Sequence, residues 1–265
     1  MKPDVRGKDQ TVVFAAVEDN MTTLPAGKTA LPASLNITEA TRLLEATKGE
    51  ASLSTRLDAI SGSLLGRPYV ENSLVGGPEE TEVLTISLEG FDCVTYIETV
   101  LGLAFSKSVA GMVASIREMR YEGGEVDWRR RNHYMIDWAR NNEMRGMLEN
   151  LTNGALTVKK TRSLAAINGL PPRQATFRCF PKQRLRQVSA TCETGDLILF
   201  ASTKTWLDVF HVGLLVKRDD SFLMRHATRK AGCVIEQDLE EFIRDNRMSG
   251  LVLLRPAQPE AAPEP

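Results

Sequence analysis

The sequence predicts an α+β fold in which a helical first half packs against a largely antiparallel sheet. Apolar residues recur at helical spacing from residue 36 to about residue 116, and short apolar or alternating runs dominate after residue 195. Helices and strands that are segregated along a chain are typical of α+β domains. With 265 residues, 42% of them hydrophobic, and a formal net charge of −1, the chain can bury a sizeable core.

The two ends of the chain differ in composition from its middle. Residues 1–35 are rich in Pro, Thr, Ala and charges without a sustained period, which predicts a flexible arm. Residues 257–265 consist of Pro, Ala, Glu and Gln and predict a disordered tail, so residues 36–256 are expected to form a single domain. No apolar run approaches the roughly 20 residues of a membrane span. A signal-peptide pattern is also missing, which leaves either a cytoplasmic protein or one whose leader is absent from this sequence.

Four helices are expected in the first half of the chain. Asn36 followed by Glu39 is typical of a capping box at the start of the first one. Between the second and third helices, residues 84–88 alternate apolar and polar side chains and predict a short strand that leads to Gly90. The predicted helical segments are residues 37–44, 53–64, 93–104 and 109–116.

The second half reads as strands separated by charged residues and glycines. Asp219 and Asp220 fit a hairpin turn between the second and third of these strands, and residues 238–245 predict a late helix. The predicted strands cover residues 195–200, 211–216, 222–226, 233–235 and 251–254.

Cys93 lies where a helix begins, directly after Asp92. The helix dipole and the free backbone N–H groups at such a position favour the thiolate, which is the nucleophilic form. A buried cysteine in an apolar helix is usually a core residue, but this position gives both access and a favourable dipole. The other three cysteines lack that setting and are expected to be structural, with their pairing open; no zinc-ligand spacing is present.

Two histidines follow on neighbouring predicted strands. If these strands pair through the hairpin turn, His211 and His226 lie near one end of it and can form a hydrogen bond. One would act as a general base and the other would fix its tautomer, which together with a thiol makes a hydrolase site. The alternative is that both histidines are structural.

The segment between the two halves is rich in aromatic and basic side chains. Residues 128–134 read Trp-Arg-Arg-Arg-Asn-His-Tyr, a composition that suits sugars and carboxylated peptides as well as a solvated helix with buried Trp. Residues 150–192 contain eight Lys or Arg and no acidic residue, which could attract an anionic polymer or simply form a solvated surface. No nucleic-acid-binding motif accompanies this charge, so no nucleic acid partner is expected.

Several motifs together resemble known cell-wall enzymes. Residues 66–69, 91–93, 195–200, 211–213 and 225–227 follow the order of the NlpC/P60 cysteine hydrolases of bacteria. More specifically, residues 91–99 with residues 131–134 resemble the N-acetylmuramoyl-L-alanine amidase-like family, formerly DUF1460. The similarity spans roughly residues 40–255.

The resemblance implies a permuted papain-like fold with a helical insertion after the nucleophile helix. Cys93 would be the nucleophile, His211 the base and His226 the orienting third member, with the Cys93 N–H in the oxyanion hole. The residue after the cysteine is Val94 rather than the serine of the wider superfamily, so the cleavage position is open. The residues implied in substrate binding are Tyr69, Asp92, Thr95, Arg131, His133 and Tyr134.

The expected function is therefore hydrolysis of an amide bond in peptidoglycan or muropeptides, without a metal or organic cofactor. The bond preferred by the resemblance joins N-acetylmuramic acid to L-alanine; the alternative is the D-glutamyl-diamino acid bond of the stem peptide. A cell-wall-binding module that does not cut, and acyl transfer to an acceptor other than water, also stay open. The expected site of action is periplasmic or otherwise extracytoplasmic, with cytoplasmic recycling of fragments not excluded and the oligomeric state open.

Overall fold

A computed structural model of the protein describes residues 31–219 and 221–257. A group of helices precedes most of the sheet along the chain, as the sequence predicts. The helices are α1 Ile37–Ala46, α2 Leu53–Ser63, α3 Cys93–Ala104, α4 Val109–Arg120, α5 Met135–Met144, α6 Leu185–Ser189 and α7 Leu239–Asp245. The strands are β1 Leu148–Asn150, β2 Val158–Leu164, β3 Arg173–Cys179, β4 Leu197–Ala201, β5 Val209–Arg218, β6 Ser221–Thr228, β7 Cys233–Asp238 and β8 Gly250–Pro256.

Six of these strands form one antiparallel sheet in the order β1-β8-β4-β5-β6-β7, and β2 pairs with β3 separately. The α+β prediction, with helices packed on an antiparallel sheet, is confirmed. The predicted hairpin is present, since Arg218 of β5 pairs with Ser221 of β6. Asp219 occupies the turn with a φ of 50°, a value that short hairpin turns require, while Asp220 lies outside the described residues.

Apolar residues cover both faces of the central strands. On one face of β5, Val212 and Leu214 belong to the larger core cluster that includes residues of α1 to α4. On the other face, Leu215 belongs to a second cluster with residues of α6 and α7. A strand that is buried on both faces has a nearly continuous apolar sequence, which is why β5 is recognisable in the chain.

A buried ion pair holds the insertion against α3. Glu98 of α3 accepts from Arg120 Nε of α4 at 2.8 Å and from Trp138 Nε1 of α5 at 3.2 Å. Arg120 Nη1 also donates to the Thr85 carbonyl at 2.6 Å. Because a buried charge without its partner is costly, this network fixes α4 and α5 relative to the helix that begins with Cys93.

The predicted strand at residues 84–88 is wrong. This segment contains no strand; next to it, Val83 forms an isolated bridge with Val75. Ile86 and Leu88 are buried, which explains the alternating pattern, but the Ile86 N–H donates to the Ser34 hydroxyl at 3.3 Å instead of to another strand. The alternation of apolar and polar residues at 84–88 therefore reflects the burial of every second side chain and not pairing with another strand.

Two further differences concern local structure. The capping box at α1 is only half formed: the Asn36 side chain accepts from the Glu39 N–H, but the Glu39 carboxylate pairs with Arg42 and Arg67. In addition, the hairpin of β2 and β3 lies within residues 150–192, where the sequence analysis expected no strand.

Most of the predicted arm and tail lie outside the described residues. Of residues 31–35, Leu35 is buried in the larger core cluster. Among the described helices, none combines the length and the apolarity needed to cross a bilayer.

Candidate active site

The pairing of β5 with β6 brings two histidines together. Leu214 pairs with Arg225, so the next positions along the two strands are Gly213 and His226. His211 lies two residues before Gly213 on the same face, because side chains alternate along a strand. Gly213 carries no side chain that would intervene, and His211 Nε2 lies 2.6 Å from His226 Nδ1.

An aromatic ring of α7 covers this histidine pair. Phe242 stacks on His211 with a centroid distance of 5.4 Å and meets His226 edge-on at 5.5 Å. Burial, and to a smaller extent the neighbouring His226, lower the pKa of His211 to about 3. Burial also lowers the pKa of His226 to about 4. Both rings are therefore neutral at pH 7, and each carries one N–H.

The hydrogen bond between the rings allows two arrangements of protons. If His211 Nε2 donates to His226, then His211 Nδ1 keeps a lone pair and His226 carries its proton on Nε2. His226 Nε2 is buried and has no hydrogen-bond partner among the described residues. The side chain of Gln237, on the neighbouring strand β7, raises the pKa of His226. Because His226 Nδ1 is taken by His211, Nε2 is the nitrogen left for this polar neighbour, and a proton on Nε2 corresponds to the arrangement in which His211 is a base.

Cys93 is the first residue of α3, and Asp92 caps this helix. Asp92 Oδ1 accepts from the backbone N–H groups of Val94 and Thr95 at 2.9 and 2.8 Å. Thr95 Oγ1 in turn accepts from the Asp92 N–H at 3.0 Å. Asp92 and Thr95 thus form a capping box, which is a structural role for two residues implied in substrate binding.

The thiol of Cys93 is protonated in the resting protein. Burial, and then the negative charge of Asp92, raise the pKa of Cys93 to about 12, although the N–H groups of Val212, Cys93 and Val94 act in the opposite direction. The N–H groups at the helix terminus thus favour the thiolate, as expected, but burial and then the Asp92 charge outweigh them. The Asp92 carboxylate also accepts from the N-terminal N–H groups of Val94 and Thr95 and so compensates part of the helix dipole.

A cavity of about 250 Å³ joins the candidate nucleophile to the candidate base, and is called the Cys93 cavity below. Cys93, Asp92 and His211 line it, although no hydrogen bond connects the Cys93 thiol to His211 among the described residues. Asp208 also lines the cavity, and its Oδ2 accepts from the Ile136 N–H at 2.8 Å. This bond attaches the start of α5 to the strand that carries His211.

Three residues implied by the sequence in substrate binding are held by internal contacts. Arg131 forms an ion pair with the buried Glu82, and His133 Nε2 lies 2.7 Å from the Trp128 carbonyl oxygen. The hydroxyl of the buried Tyr134 accepts from the Ala166 N–H at 2.9 Å, so the phenol has a structural partner. Arg131 and His133 still line the Cys93 cavity.

Tyr69 lies near Cys93 and outside the lining of that cavity. An isolated parallel bridge joins it to Phe91, and its N–H donates to the Gly232 carbonyl at 2.8 Å. Burial raises the pKa of Tyr69, and the charges of Cys93 and Asp92 raise it further. The four cysteines of the chain, including Cys93, are free thiols.

The sequence analysis missed Asp208, Gln237 and Phe242. Asp208 precedes the strand that carries His211, and an acidic residue directly before an apolar strand was the only available signal. Gln237 and Phe242 belong to β7 and to α7, which contact β6 only in the folded chain. No local pattern in the sequence marks either residue as part of the site.

Solved structures share this arrangement of helices and strands. A Legionella pneumophila protein of the DUF1460 family superposes with a TM-score of 0.71 at 20% identity, covering 83% of this chain and 94% of that one. An N-acetylmuramoyl-L-alanine amidase from Bacteroides uniformis gives a TM-score of 0.70 at 22% identity and covers 77% and 98%. A putative xylanase from Bacteroides fragilis gives 0.67 at 23% identity and covers 74% and 98%. At these identities the likeness establishes the fold.

Sequence comparison identifies the family. No curated protein matches the chain significantly. Residues 59–251, which include Cys93, residues 128–134 and both histidines, match a family model. The chain therefore belongs to the AmiA-like family, described as N-acetylmuramoyl-L-alanine amidase-like.

Proposed function

We propose that this protein is a cysteine hydrolase that cleaves the amide between N-acetylmuramic acid and L-alanine in peptidoglycan or its fragments. The main observation behind the proposal is that the Cys93 thiol, at a helix N-terminus, shares a cavity with His211. His211 is in turn hydrogen-bonded to His226. A thiol, a base and a group that orients the base are the parts of a nucleophilic hydrolase. Family membership supplies the choice of bond.

In this mechanism, substrate binding brings the amide carbonyl next to the Cys93 thiol. Because the resting thiol is protonated and His211 is neutral, His211 Nδ1 removes the thiol proton as sulfur attacks the carbonyl carbon. The Cys93 N–H donates to no other group among the described residues and donates to the developing oxyanion. The proton on His211 then passes to the departing amine nitrogen as the carbon–nitrogen bond breaks, which leaves a thioester.

Hydrolysis of the thioester completes the cycle. A water molecule gives its proton to His211 Nδ1 and adds to the thioester carbonyl, and the thiol leaves with that proton restored. His226 holds His211 in the orientation that keeps Nδ1 toward the cavity. These roles are those of the NlpC/P60 enzymes with their permuted papain-like fold, to which we assign the chain, and a wall substrate implies action outside the cytoplasmic membrane.

The stem-peptide endopeptidase is the second candidate, and Asp92 favours it. Only Oδ1 of this carboxylate serves the helix cap, and Asp92 also lines the Cys93 cavity. A free carboxylate oxygen in the cavity could hold the N-terminal amine of a stem peptide that lacks the sugar. A muropeptide whose alanine amine is bonded to the muramoyl group would then be a poor substrate.

The test is mass spectrometry of products from defined muropeptides and intact peptidoglycan, with the wild type and with Cys93→Ala. Release of intact stem peptides by the wild type alone supports the amidase. An L-alanyl-D-glutamate product supports the endopeptidase. Absence of any Cys93-dependent product contradicts both and favours a binding module, for which Cys93→Ala leaves ligand affinity unchanged, or acyl transfer to another acceptor.

A further inference from the structure

A second and larger cavity adjoins the Cys93 cavity, and is called the arginine cavity below. It has a volume of about 410 Å³ and shares Arg131, Asn132 and His133 with the lining of the Cys93 cavity. The two cavities are therefore neighbours that meet at these three residues. A ligand whose reacting carbonyl lies at Cys93 can extend into the second cavity without leaving the protein surface.

The arginine cavity is rich in cationic side chains. Five arginines line it, against two acidic residues, Glu122 and Asp137. The arginines are Arg129, Arg130, Arg131, Arg140 and Arg173. This excess of positive charge over negative favours an anionic ligand.

The ion pairs of the described residues leave part of this charge uncompensated. Arg131 pairs with Glu82 and Arg130 pairs with Glu125 at 3.0 Å, so acids outside the cavity lining compensate these two arginines. Asp137 alone is shared by Arg140 at 3.5 Å and by Arg173. One carboxylate cannot neutralise two guanidinium groups, so the pair around Asp137 keeps a net positive charge.

The geometry of Arg173 is suited to a planar anion. Its guanidinium carbon lies 5.6 Å from the centroid of the Tyr134 ring, and its charged end pairs with Asp137. The ring and the carboxylate limit the positions that this side chain adopts. A preoriented guanidinium binds a carboxylate through two parallel hydrogen bonds, which a neutral sugar hydroxyl cannot match.

We propose that the arginine cavity is a subsite for the carboxylates of the peptide part of the substrate, with Arg140 and Arg173 as its specificity-determining residues. The proposal rests on the proposed function, because it takes the ligand at Cys93 to be a muropeptide. It goes beyond that function by assigning a direction: the acidic peptide extends toward Arg140 and Arg173, and the neutral sugar lies on the other side of Cys93. Amidation of the peptide carboxylates removes the charge that the subsite recognises.

The experiment compares two muramoyl tripeptides of the same sequence, L-alanyl-D-glutamyl-diaminopimelate, one with its three peptide carboxylates free and one with all three amidated. The proteins are the wild type, Arg140→Gln with Arg173→Gln, and Arg186→Gln. Arg186 lies on α6 and is 87% exposed, so its variant controls for a change in net charge away from the cavity. Thermal unfolding of each variant controls for misfolding.

For the wild type and for Arg186→Gln we expect a lower KM for the free acid than for the amide. In the double variant the KM for the free acid rises about five- to tenfold, the scale of losing two exposed ion pairs, while kcat changes little. The preference for the free acid disappears in the double variant. In the wild type this preference weakens when salt is added. An equal preference in the double variant and the wild type overturns the subsite.

A binding measurement separates this proposal from the proposed function. Calorimetry with the Cys93→Ala protein measures the affinity for both tripeptides without turnover. If the wild type hydrolyses neither compound, the proposed function fails, and tighter binding of the free acid that depends on Arg140 and Arg173 still supports the subsite. Equal binding of both compounds to Cys93→Ala overturns the subsite whatever the wild type hydrolyses.

Discussion

The reactivity of the Cys93 thiol in the absence of substrate follows from its surroundings. Burial and the Asp92 charge raise the pKa of Cys93 from 9.0 to about 12, so the thiolate fraction at pH 8 falls by about three powers of ten. A more basic thiolate is intrinsically a better nucleophile, with a Brønsted coefficient of about 0.4–0.5, which recovers part of that loss. We therefore expect alkylation of Cys93 to be about 30- to 60-fold slower than alkylation of an unperturbed cysteine.

The assay is alkylation with iodoacetamide from pH 5 to 9, followed by peptide mass spectrometry that reports each cysteine separately. The rate at Cys93 should rise about tenfold for each pH unit across this range, because the thiolate fraction does so below the pKa. The partly exposed Cys233 provides an internal reference in the same molecule. A rate at Cys93 that stays constant between pH 5 and 8 would show a thiolate–imidazolium pair and refute this reasoning.

An Asp92→Asn variant tests the electrostatic part of the argument. Asparagine is also a favourable N-cap residue, so α3 keeps its cap while the negative charge beside the thiol is removed. Because that charge raises the pKa of Cys93, its loss lowers the pKa and speeds alkylation at pH 8. Glu45→Gln, an exposed acid-to-amide change on α1, should leave the rate unchanged. Equal rates for Asp92→Asn and the wild type would contradict a role of Asp92.

Three further changes test the histidine pair and the packing behind the site. Gln237→Leu removes the polar side chain that raises the pKa of His226 and surrounds its buried Nε2 with a further apolar group, so kcat/KM for muropeptides should fall about tenfold or more. Gln237→Glu keeps a polar group there, so it should retain activity and move the acid limb of the pH profile upward. A fully active leucine variant contradicts this role of Gln237. Glu98→Gln breaks the buried pair with Arg120 and should lower the free energy of unfolding in urea by about 3 kcal/mol, and a loss below 1 kcal/mol would argue against the network. Gly213→Ala places a Cβ 2.4 Å from a side-chain atom of β6, so thermal unfolding should show about 1–3 kcal/mol of destabilisation, and unchanged unfolding would mean that β6 repacks freely.

The main sheet could be predicted because its central strands are buried on both faces. Burial on both faces gives β4 and β5 apolar runs that differ clearly from the charged segments around them. The hairpin of β2 and β3 gave no such signal, since only Arg162 and Leu164 of β2 are buried and the rest of that strand is Lys, Thr, Ser or exposed Val. Its pairing depends on cross-strand contacts and not on a periodic sequence.

Residues of the candidate site could be predicted only where a reactive side chain lies in a local element that the sequence itself indicates. Cys93 follows from a helix start, and the histidine pair follows from a hairpin, both of which are local features. The arginine cavity required β3 to bring Arg173 next to Asp137 of α5, a contact between residues 36 positions apart. The helix terminus alone could not predict the pKa of Cys93, because burial in the folded chain and the adjacent Asp92 carboxylate outweigh the helix N–H groups.

Detection of a thioester on Cys93 is the sharpest test of the proposed mechanism. The wild type is mixed with a muramoyl tripeptide, quenched in acid within milliseconds to seconds, and analysed as the intact protein and as peptides. We expect a muramoyl group attached to the peptide that contains Cys93. This adduct should be absent from Cys93→Ala and should accumulate in a variant that deacylates slowly. An L-alanyl-D-glutamyl adduct would instead identify the endopeptidase. Product formed without any adduct at Cys93, or an adduct on another residue, would contradict the mechanism.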